Sequence, residues 1–148
     1  MVCALWITAL IAATACARKP LQLYEGPPRP EVEIAKVSIE PGSTHRLYAV
    51  NDVRAHGSEF HLAPGTHEVW IHSRMYESAG DALYKIWTYC RFDLEARAGA
   101  TYEIRSVNRV IKSDATGKRV QVGAVIVDVD RDTEWVPRYC LGSAPDLN

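Results

Sequence analysis

The sequence predicts an all-β protein built as a single small β-sandwich of about seven to eight antiparallel strands. Short segments that alternate apolar and polar residues recur at roughly even spacing, with Gly- and Pro-containing turns between them. No segment long enough for an ordinary helix carries apolar side chains at helical spacing. The chain has 148 residues, of which 47% are hydrophobic and 24% charged, which is typical of one globular domain.

The predicted strands follow one another along residues 31–141, which we take as the sandwich domain. They cover residues 31–40, 47–50, 59–63, 68–76, 83–95, 102–110 and 120–130, with residues 133–138 as an edge segment that contains Pro137. Turns are predicted at Pro41-Gly42 and at Ala98-Gly99-Ala100, because Gly permits tight backbone conformations. Residues 142–148 are predicted to form a flexible tail.

The N-terminal segment predicts export. Residues 1–15 carry no charge, and this apolar run is typical of a secretory signal peptide, being shorter than the ~20 residues of a membrane-spanning helix. Ala13-Thr14-Ala15-Cys16 resembles the lipobox of bacterial lipoprotein precursors, which implies cleavage before Cys16 and a lipid anchor on that cysteine. The same small residues also suit ordinary signal peptidase, which would give a soluble periplasmic or secreted protein. A buried structural helix is the third interpretation.

Residues 16–30 are predicted to form an extended tether, because Pro27, Pro28 and Pro30 exclude a helix. Ala17 follows the lipidated cysteine in place of Asp, and the resemblance to enterobacterial lipoproteins then implies the periplasmic face of the outer membrane. The net charge is −1 without any block of like charge, so the charge predicts neither a nucleic-acid partner nor binding to an anionic membrane face.

Two hairpin motifs resemble known envelope domains. Residues 62–71, Leu-Ala-Pro-Gly-Thr-His-Glu-Val-Trp-Ile, are similar to the Pro-Gly-x-His-x-Val-x-Val hairpin of PEGA-type and transthyretin-like β-domains. Residues 98–104, Ala-Gly-Ala-Thr-Tyr-Glu-Ile, resemble the Gly-x-x-Tyr-x-Ile hairpin of small proteobacterial lipoproteins, which also share the Tyr-Glu-Gly-Pro-Pro-Arg-Pro segment at residues 24–30. The resemblance implies a fold and an envelope address, and no reaction.

The cysteines are consistent with an oxidising compartment. The chain has four. Cys3 leaves with the signal peptide and Cys16 takes the lipid, so Cys90 and Cys140 remain and predict one disulfide. The alternative is two separate thiols, with Cys90 packing as a small apolar side chain.

The sequence predicts no catalytic residue, no metal site and no cofactor. It has no Gly-rich phosphate loop, no Gly-x-Ser-x-Gly and no His-Glu-x-x-His. The histidines His45, His56, His61, His67 and His72 are interpreted as isolated surface residues. Asp128, Asp130 and Asp132 resemble part of a calcium loop, but Thr133 replaces its Gly, and we interpret them as a solvated strand end.

Strand alternation predicts an aromatic face. It places Val69, Ile71, Cys90 and Phe92 towards the core. It places Trp70, His72, Trp87 and Tyr89 on the opposite side as a candidate binding face rimmed by Arg74, Lys85 and Arg91. A loop at residues 77–81 would set Trp70 opposite Tyr89 and His72 opposite Trp87. The alternatives are cross-strand stabilisation alone, or rings buried beneath another part of the chain.

These observations favour a non-catalytic interaction or structural module at the bacterial cell envelope, with an envelope protein or a glycan as its partner. The alternatives are a carbohydrate-binding module or a hydrolase acting on cell-wall glycan. Its candidate carboxylates would be Asp93, Glu95 and Asp128, and such chemistry needs two acids held close together in a pocket.

Overall fold

The computed structural model describes residues 19–79, 82–112 and 119–147, and nearly all the regular structure within them is β-strand. The all-β sandwich predicted from the sequence is therefore confirmed. In the described part of the chain, no helix has the length and apolar character needed to cross a membrane. The predicted signal peptide and Cys16 lie outside the described residues.

The strands are numbered here in chain order. They are β1 (Leu21–Gln22), β2 (Ala35–Ile39), β3 (Arg46–Val50), β4 (Val53–Arg54), β5 (Glu59–Leu62), β6 (Gly65–Ala79), β7 (Ala82–Ala96), β8 (Thr101–Lys112), β9 (Arg119–Asp128), β10 (Thr133–Trp135) and β11 (Tyr139–Leu141), with a short 3-10 turn at Glu31–Glu33. The long predicted strands are all present, and β1, β4 and β11 are additional short ones.

Two sheets enclose the core. The first sheet has the strand order β1-β5-β2-β8-β9-β10, and the second has the order β11-β7-β6-β3-β4. Two of the pairings, β1 with β5 and β2 with β8, are parallel rather than antiparallel as predicted. The inward side chains of both sheets form one cluster whose large members, Phe60, Phe92, Tyr102, Leu94 and Ile104, are fully buried. This arrangement is typical of a sandwich, with apolar residues alternating inward along each strand.

The segment predicted as a tether contributes to the sheet ahead of its proline cluster at residues 27–30. Leu21 and Gln22 pair with Phe60 and His61, and Leu21 and Leu23 pack against the core. The prolines at positions 27, 28 and 30 follow this strand and so leave its backbone unrestricted.

Positive φ angles mark two tight turns. Asn51 and Asp52, between β3 and β4, have φ angles of 48° and 63°, as a two-residue hairpin turn requires. Gly99, between β7 and β8, has a φ of 71°, and a Cβ there would lie 3.4 Å from the Val32 carbonyl oxygen. This glycine therefore permits both the turn and the close approach of the chain near β2.

The register of the β6–β7 hairpin differs from the predicted one by two residues. Trp70 lies opposite Arg91, His72 opposite Tyr89, and Arg74 opposite Trp87. The two strands pair as far as Ala79 and Ala82, so they run further than predicted and the connection is shorter than residues 77–81. A shift of two residues keeps every side chain on its predicted face, because the side-chain period of a strand is two.

Candidate binding face

The predicted aromatic residues lie on the outer side of the second sheet, away from the core. The residues that alternate with them, Val69, Ile71, Cys90 and Phe92, are fully buried between the sheets. We use the name aromatic ladder for the rings on this outer side, which are Tyr48, Trp70, His72, Trp87, Tyr89 and Tyr139.

The centre of the aromatic ladder is a stack of interleaved side chains from β6 and β7. The His72 ring stacks on Tyr89 at 4.4 Å between centroids and on Trp87 at 4.5 Å, with interplanar angles of 13° and 18°. The Arg74 guanidinium lies 5.0 Å from the centroid of the Trp87 ring, within reach of a cation–π interaction. Because each ring is held by a neighbour from the facing strand, the stack has a defined orientation before any partner binds.

Trp70 and Trp87 have different environments. Trp70 is 3% exposed and Trp87 is 38% exposed. Trp70 packs edge-on against Tyr139 at 5.7 Å, and its Nε1 donates to Glu68 Oε1 at 2.6 Å. Strand β11 therefore covers this end of the ladder, and Trp70 belongs to the packing of the domain.

A small second core surrounds Trp70. It contains Tyr48 and Ala49, and Leu147 of the predicted flexible tail packs against it. The register shift between Leu47 and Ala49 puts Tyr48 and Ala49 in this cluster while Leu47 faces the main core, as expected at a β-bulge. Tyr48 also meets the Tyr89 ring edge-on at 4.9 Å, which joins the covered and open ends of the ladder.

Arg91, predicted as part of an open rim, is fixed by carboxylates on the covered side. Its guanidinium lies 2.7 Å from Glu68 and 3.1 Å from Asp93, while Arg138 reaches Asp93 at 2.9 Å. The Tyr139 hydroxyl and the two carboxylates raise the pKa of Arg91. Burial alone would raise the pKa of Asp93, but the hydrogen bonds from Arg138 and Arg91 outweigh it and lower that pKa. The side chain of Lys85 lies outside the described part.

His72 is held as a neutral ring. Burial lowers its pKa, and the neighbouring Arg74 charge acts in the same direction. Its Nε2 is buried and has no hydrogen-bond partner among the described residues. The imidazole therefore serves as a flat stacking group between two aromatic rings rather than as an ionic contact.

The two remaining cysteines of the domain form the predicted disulfide. Cys90 on β7 pairs directly with Cys140 on β11, and the two sulfurs are bonded across a separation of 50 residues. The bond fixes β11 to the edge of β7, and with it Tyr139 over Trp70.

Two of the three candidate carboxylates, Asp93 and Asp128, are occupied by structural contacts, and Asp128 is buried rather than solvated as predicted. Asp128 is fully buried, pairs with Arg97 and accepts hydrogen bonds from the backbone N–H groups of Asp130 and Arg131. Burial would raise the pKa of Asp128, but these donors outweigh it and lower that pKa. Asp130 accepts from the Thr101 N–H. Within the described ranges, no group of three metal-ligating side chains comes together.

Two histidines that were predicted to lie on the surface are buried. The Nδ1 of His67 lies 3.0 Å from Asn51 Nδ2, and its Nε2 lies 2.8 Å from the Ala63 carbonyl oxygen. His45 Nδ1 lies 2.7 Å from Ser73 Oγ and its Nε2 lies 3.1 Å from Ser106 Oγ. Apart from Ala63, these partners lie 16, 28 and 61 residues away in sequence, so the local pattern does not predict this burial.

A surface cavity of about 630 Å³ lies beside His45, between the turn at Pro41-Gly42 and the segment before β5. Glu40 is the single carboxylate among its lining residues, and its Oε2 accepts from the Ser106 N–H at 2.9 Å. The cavity therefore lacks the pair of convergent acids that glycoside hydrolysis uses.

Comparisons with models of protein families, with curated proteins and with solved structures found no match to this chain.

Proposed function

We propose that this protein is a non-catalytic lipoprotein of the bacterial cell envelope, and that it contacts its partner through the open end of the aromatic ladder. The observation that carries the proposal is the contrast between the two tryptophans. Trp70 is covered by β11, whereas Trp87 is 38% exposed although His72 and Arg74 hold its ring in place. An exposed indole with a fixed orientation gives a large contact area at a low entropic cost.

Two features support a binding role over a hydrolytic one. Asp93 and Asp128, two of the three candidate acids, are occupied by arginines, and Asp128 also accepts backbone N–H groups. Glu95 is exposed on β7. Hydrolysis of a glycan generally uses two carboxyl groups at a defined separation around the glycosidic bond. The ion pairs of Asp93 and Asp128 do not favour that chemistry.

The envelope address is supported by the N-terminal sequence and by the disulfide. A disulfide such as Cys90–Cys140 is expected in a compartment that oxidises thiols, such as the periplasm. The lipobox-like Ala13-Thr14-Ala15-Cys16 and the resemblance to PEGA-type domains favour the same compartment, with a lipid on Cys16 as the anchor.

The contact surface is tested with two tryptophan variants and a control in the unanchored Cys16→Ser protein. We expect Trp87→Ala to weaken co-sedimentation with isolated envelopes by about 30-fold, the effect of losing a contact worth ~2 kcal/mol. Its free energy of unfolding should fall by less than about 1 kcal/mol, because the side chain is partly exposed. Trp70→Ala should instead lower that free energy by about 3–5 kcal/mol, because the side chain is buried.

The control is Val32→Ala, which removes another exposed apolar side chain beside the Gly99 turn. It should change neither binding nor stability. A Trp87→Ala protein that binds envelopes normally would contradict the proposed contact surface.

A further inference from the structure

We infer that the partner of the open end of the ladder is the lipid bilayer in which the protein is itself anchored. The inference rests on the proposed lipid at Cys16. Three features of the fold carry it: the direction in which the chain leaves β1, the level at which Trp87 lies, and the length of chain between Cys16 and β1.

The tether leaves the sandwich at the end where Trp87 lies. β1 is parallel to β5, so residues before Leu21 continue past Phe60 towards Ser58. The N–H of Ile39, the last residue of β2, donates to the Ser58 carbonyl. Since β8 is parallel to β2, this is also the end towards which β8 runs beyond Ile104.

His45 shows that both long hairpins project from this same end. Its ring bridges Ser73 on β6 and Ser106 on β8, so these two serines lie at one level of the sandwich. Beyond that level, pairing continues to Ala79 and Ala82 in one hairpin and to Lys112 and Arg119 in the other. Trp87 lies opposite Arg74, the first residue past Ser73, and so stands where the hairpins leave the core.

The tether is too short to hold the bilayer away from Trp87. Leu21 is level with Tyr102, because Leu21 pairs with Phe60, Phe60 with Val37, and Val37 with Tyr102. Trp87 lies about five residues further along the strand direction, towards the hairpin ends, which is a distance of ~16 Å. The five residues from Cys16 to Leu21 span at most ~17 Å when fully extended. The hairpin ends lie ~15 Å beyond Trp87, so an upright domain would push both hairpins into the bilayer. Trp87 lies on the outer side of the second sheet, so a domain tilted towards that side brings Trp87 to the lipid surface.

The side chains at this level suit the interface of a bilayer. Tryptophan concentrates at the boundary between headgroups and acyl chains, and arginine pairs with anionic headgroups while its aliphatic stem lies in apolar surroundings. Trp87 presents the indole, and Arg74 stacks on it. Arg46, exposed at the start of β3, lies opposite His72 in the same sheet and adds a second guanidinium.

The test uses the mature lipidated protein in vesicles of phosphatidylglycerol and brominated phosphatidylcholine, with unbrominated vesicles as reference. Bromine quenches tryptophan at short range. Cleavage at Cys16 would remove Trp6, so the remaining tryptophans are Trp70, Trp87 and Trp135. We expect the wild type to lose the share of its emission that Trp87 contributes. Trp87→Phe should abolish this loss, whereas Trp135→Phe, on the edge strand β10 of the first sheet and level with Ile104, should retain it.

Each other outcome overturns the inference in a distinguishable way. If mass spectrometry finds no diacylglyceryl group on Cys16, the anchor fails and this inference fails with it. If the lipid is present and emission is unquenched, or equally quenched in Trp87→Phe, the bilayer is not the partner of Trp87. If Trp87→Ala still loses retention on envelopes in that case, the ladder binds an envelope protein or glycan and the proposed function stands.

Discussion

At the scale of single residues, His45 ties the two sheets together through its two ring nitrogens. One nitrogen contacts Ser73 of the second sheet and the other contacts Ser106 of the first. Burial lowers the pKa of His45, and Arg46 acts in the same direction while Glu40 opposes it. The ring is therefore neutral at pH 7, with one donor and one acceptor to share between the serines.

This contact predicts a loss of stability in acid. The pKa of His45 lies below its ordinary value of 6.5 in the folded protein, so the unfolded chain binds the proton more tightly. Stability is complete above pH 6.5 and falls as the pH drops through 6.5 towards the lowered value. Urea unfolding between pH 8 and pH 5 should show this fall, with a shallower slope in His45→Gln.

His56→Gln is the matched control, since His56 is an exposed histidine beside the same cavity. It should keep the slope of the wild type. His72, whose pKa is also lowered by burial, contributes in the same direction, so some dependence on pH should survive in His45→Gln. An unchanged slope in His45→Gln would show that His45 is not a source of the acid sensitivity.

At the scale of strands, the sequence predicts which face of the sheet a side chain occupies better than it predicts which residues lie opposite each other on paired strands. Alternation predicts that Trp70 points away from Val69 and Ile71. This is confirmed, because Val69 and Ile71 lie in the main core whereas Trp70 lies in the second core on the other side of the sheet. The alignment of β6 with β7 depended on where the connecting loop begins, and no local pattern separates the predicted register from one shifted by two residues. His72 therefore stacks on both Tyr89 and Trp87, where one partner was expected.

The covering of Trp70 depends on a contact between distant parts of the chain. β11 is only three residues long, and no periodicity predicts a strand of that length. The predicted disulfide holds part of this information, because it brings Tyr139 near β7, and the antiparallel pairing of β11 with β7 then sets Tyr139 opposite Arg91. The difference in exposure between Trp70 and Trp87 follows from this pairing.

Removing the disulfide should release β11. Cys140→Ala opens a loop of 50 residues, and the chain-entropy model gives at most about 4 kcal/mol of lost stability. We expect a lower free energy of unfolding in urea and a red shift of Trp70 emission as Tyr139 leaves it. The wild type treated with a reducing agent should behave in the same way. A variant within about 1 kcal/mol of the wild type and with unchanged emission would show that other contacts hold β11.

At the scale of the whole molecule, composition and turn spacing predict the sandwich, but they do not predict where the domain begins near its N-terminus. The prolines that follow residues 21–23 predict a tether there, yet Leu21 and Leu23 pack against the core. A chain that begins at residue 31 would lack β1 and would expose the edge of β5.

Metabolic labelling tests the proposed lipid on Cys16. Cells that express the protein in labelled palmitate should yield a labelled product, and Cys16→Ser should abolish the label because Cys16 is the acceptor in the lipobox-like sequence. Cys3→Ser is the control and should remain labelled, since Cys3 lies in the predicted signal peptide. A label that persists in Cys16→Ser, or none on the wild type, would exclude the anchor.

The position of β11 also constrains the order in which the molecule can be completed. A polypeptide is delivered from its N-terminus, so β7 is in place long before its neighbour β11 and residues up to 147 have been synthesised. Until then Trp70 lacks Tyr139, Leu147 is absent from the second core and Cys90 has no Cys140 to oxidise with. An unfinished chain therefore keeps an open sheet edge and a reduced thiol, and closing both requires the last residues to arrive.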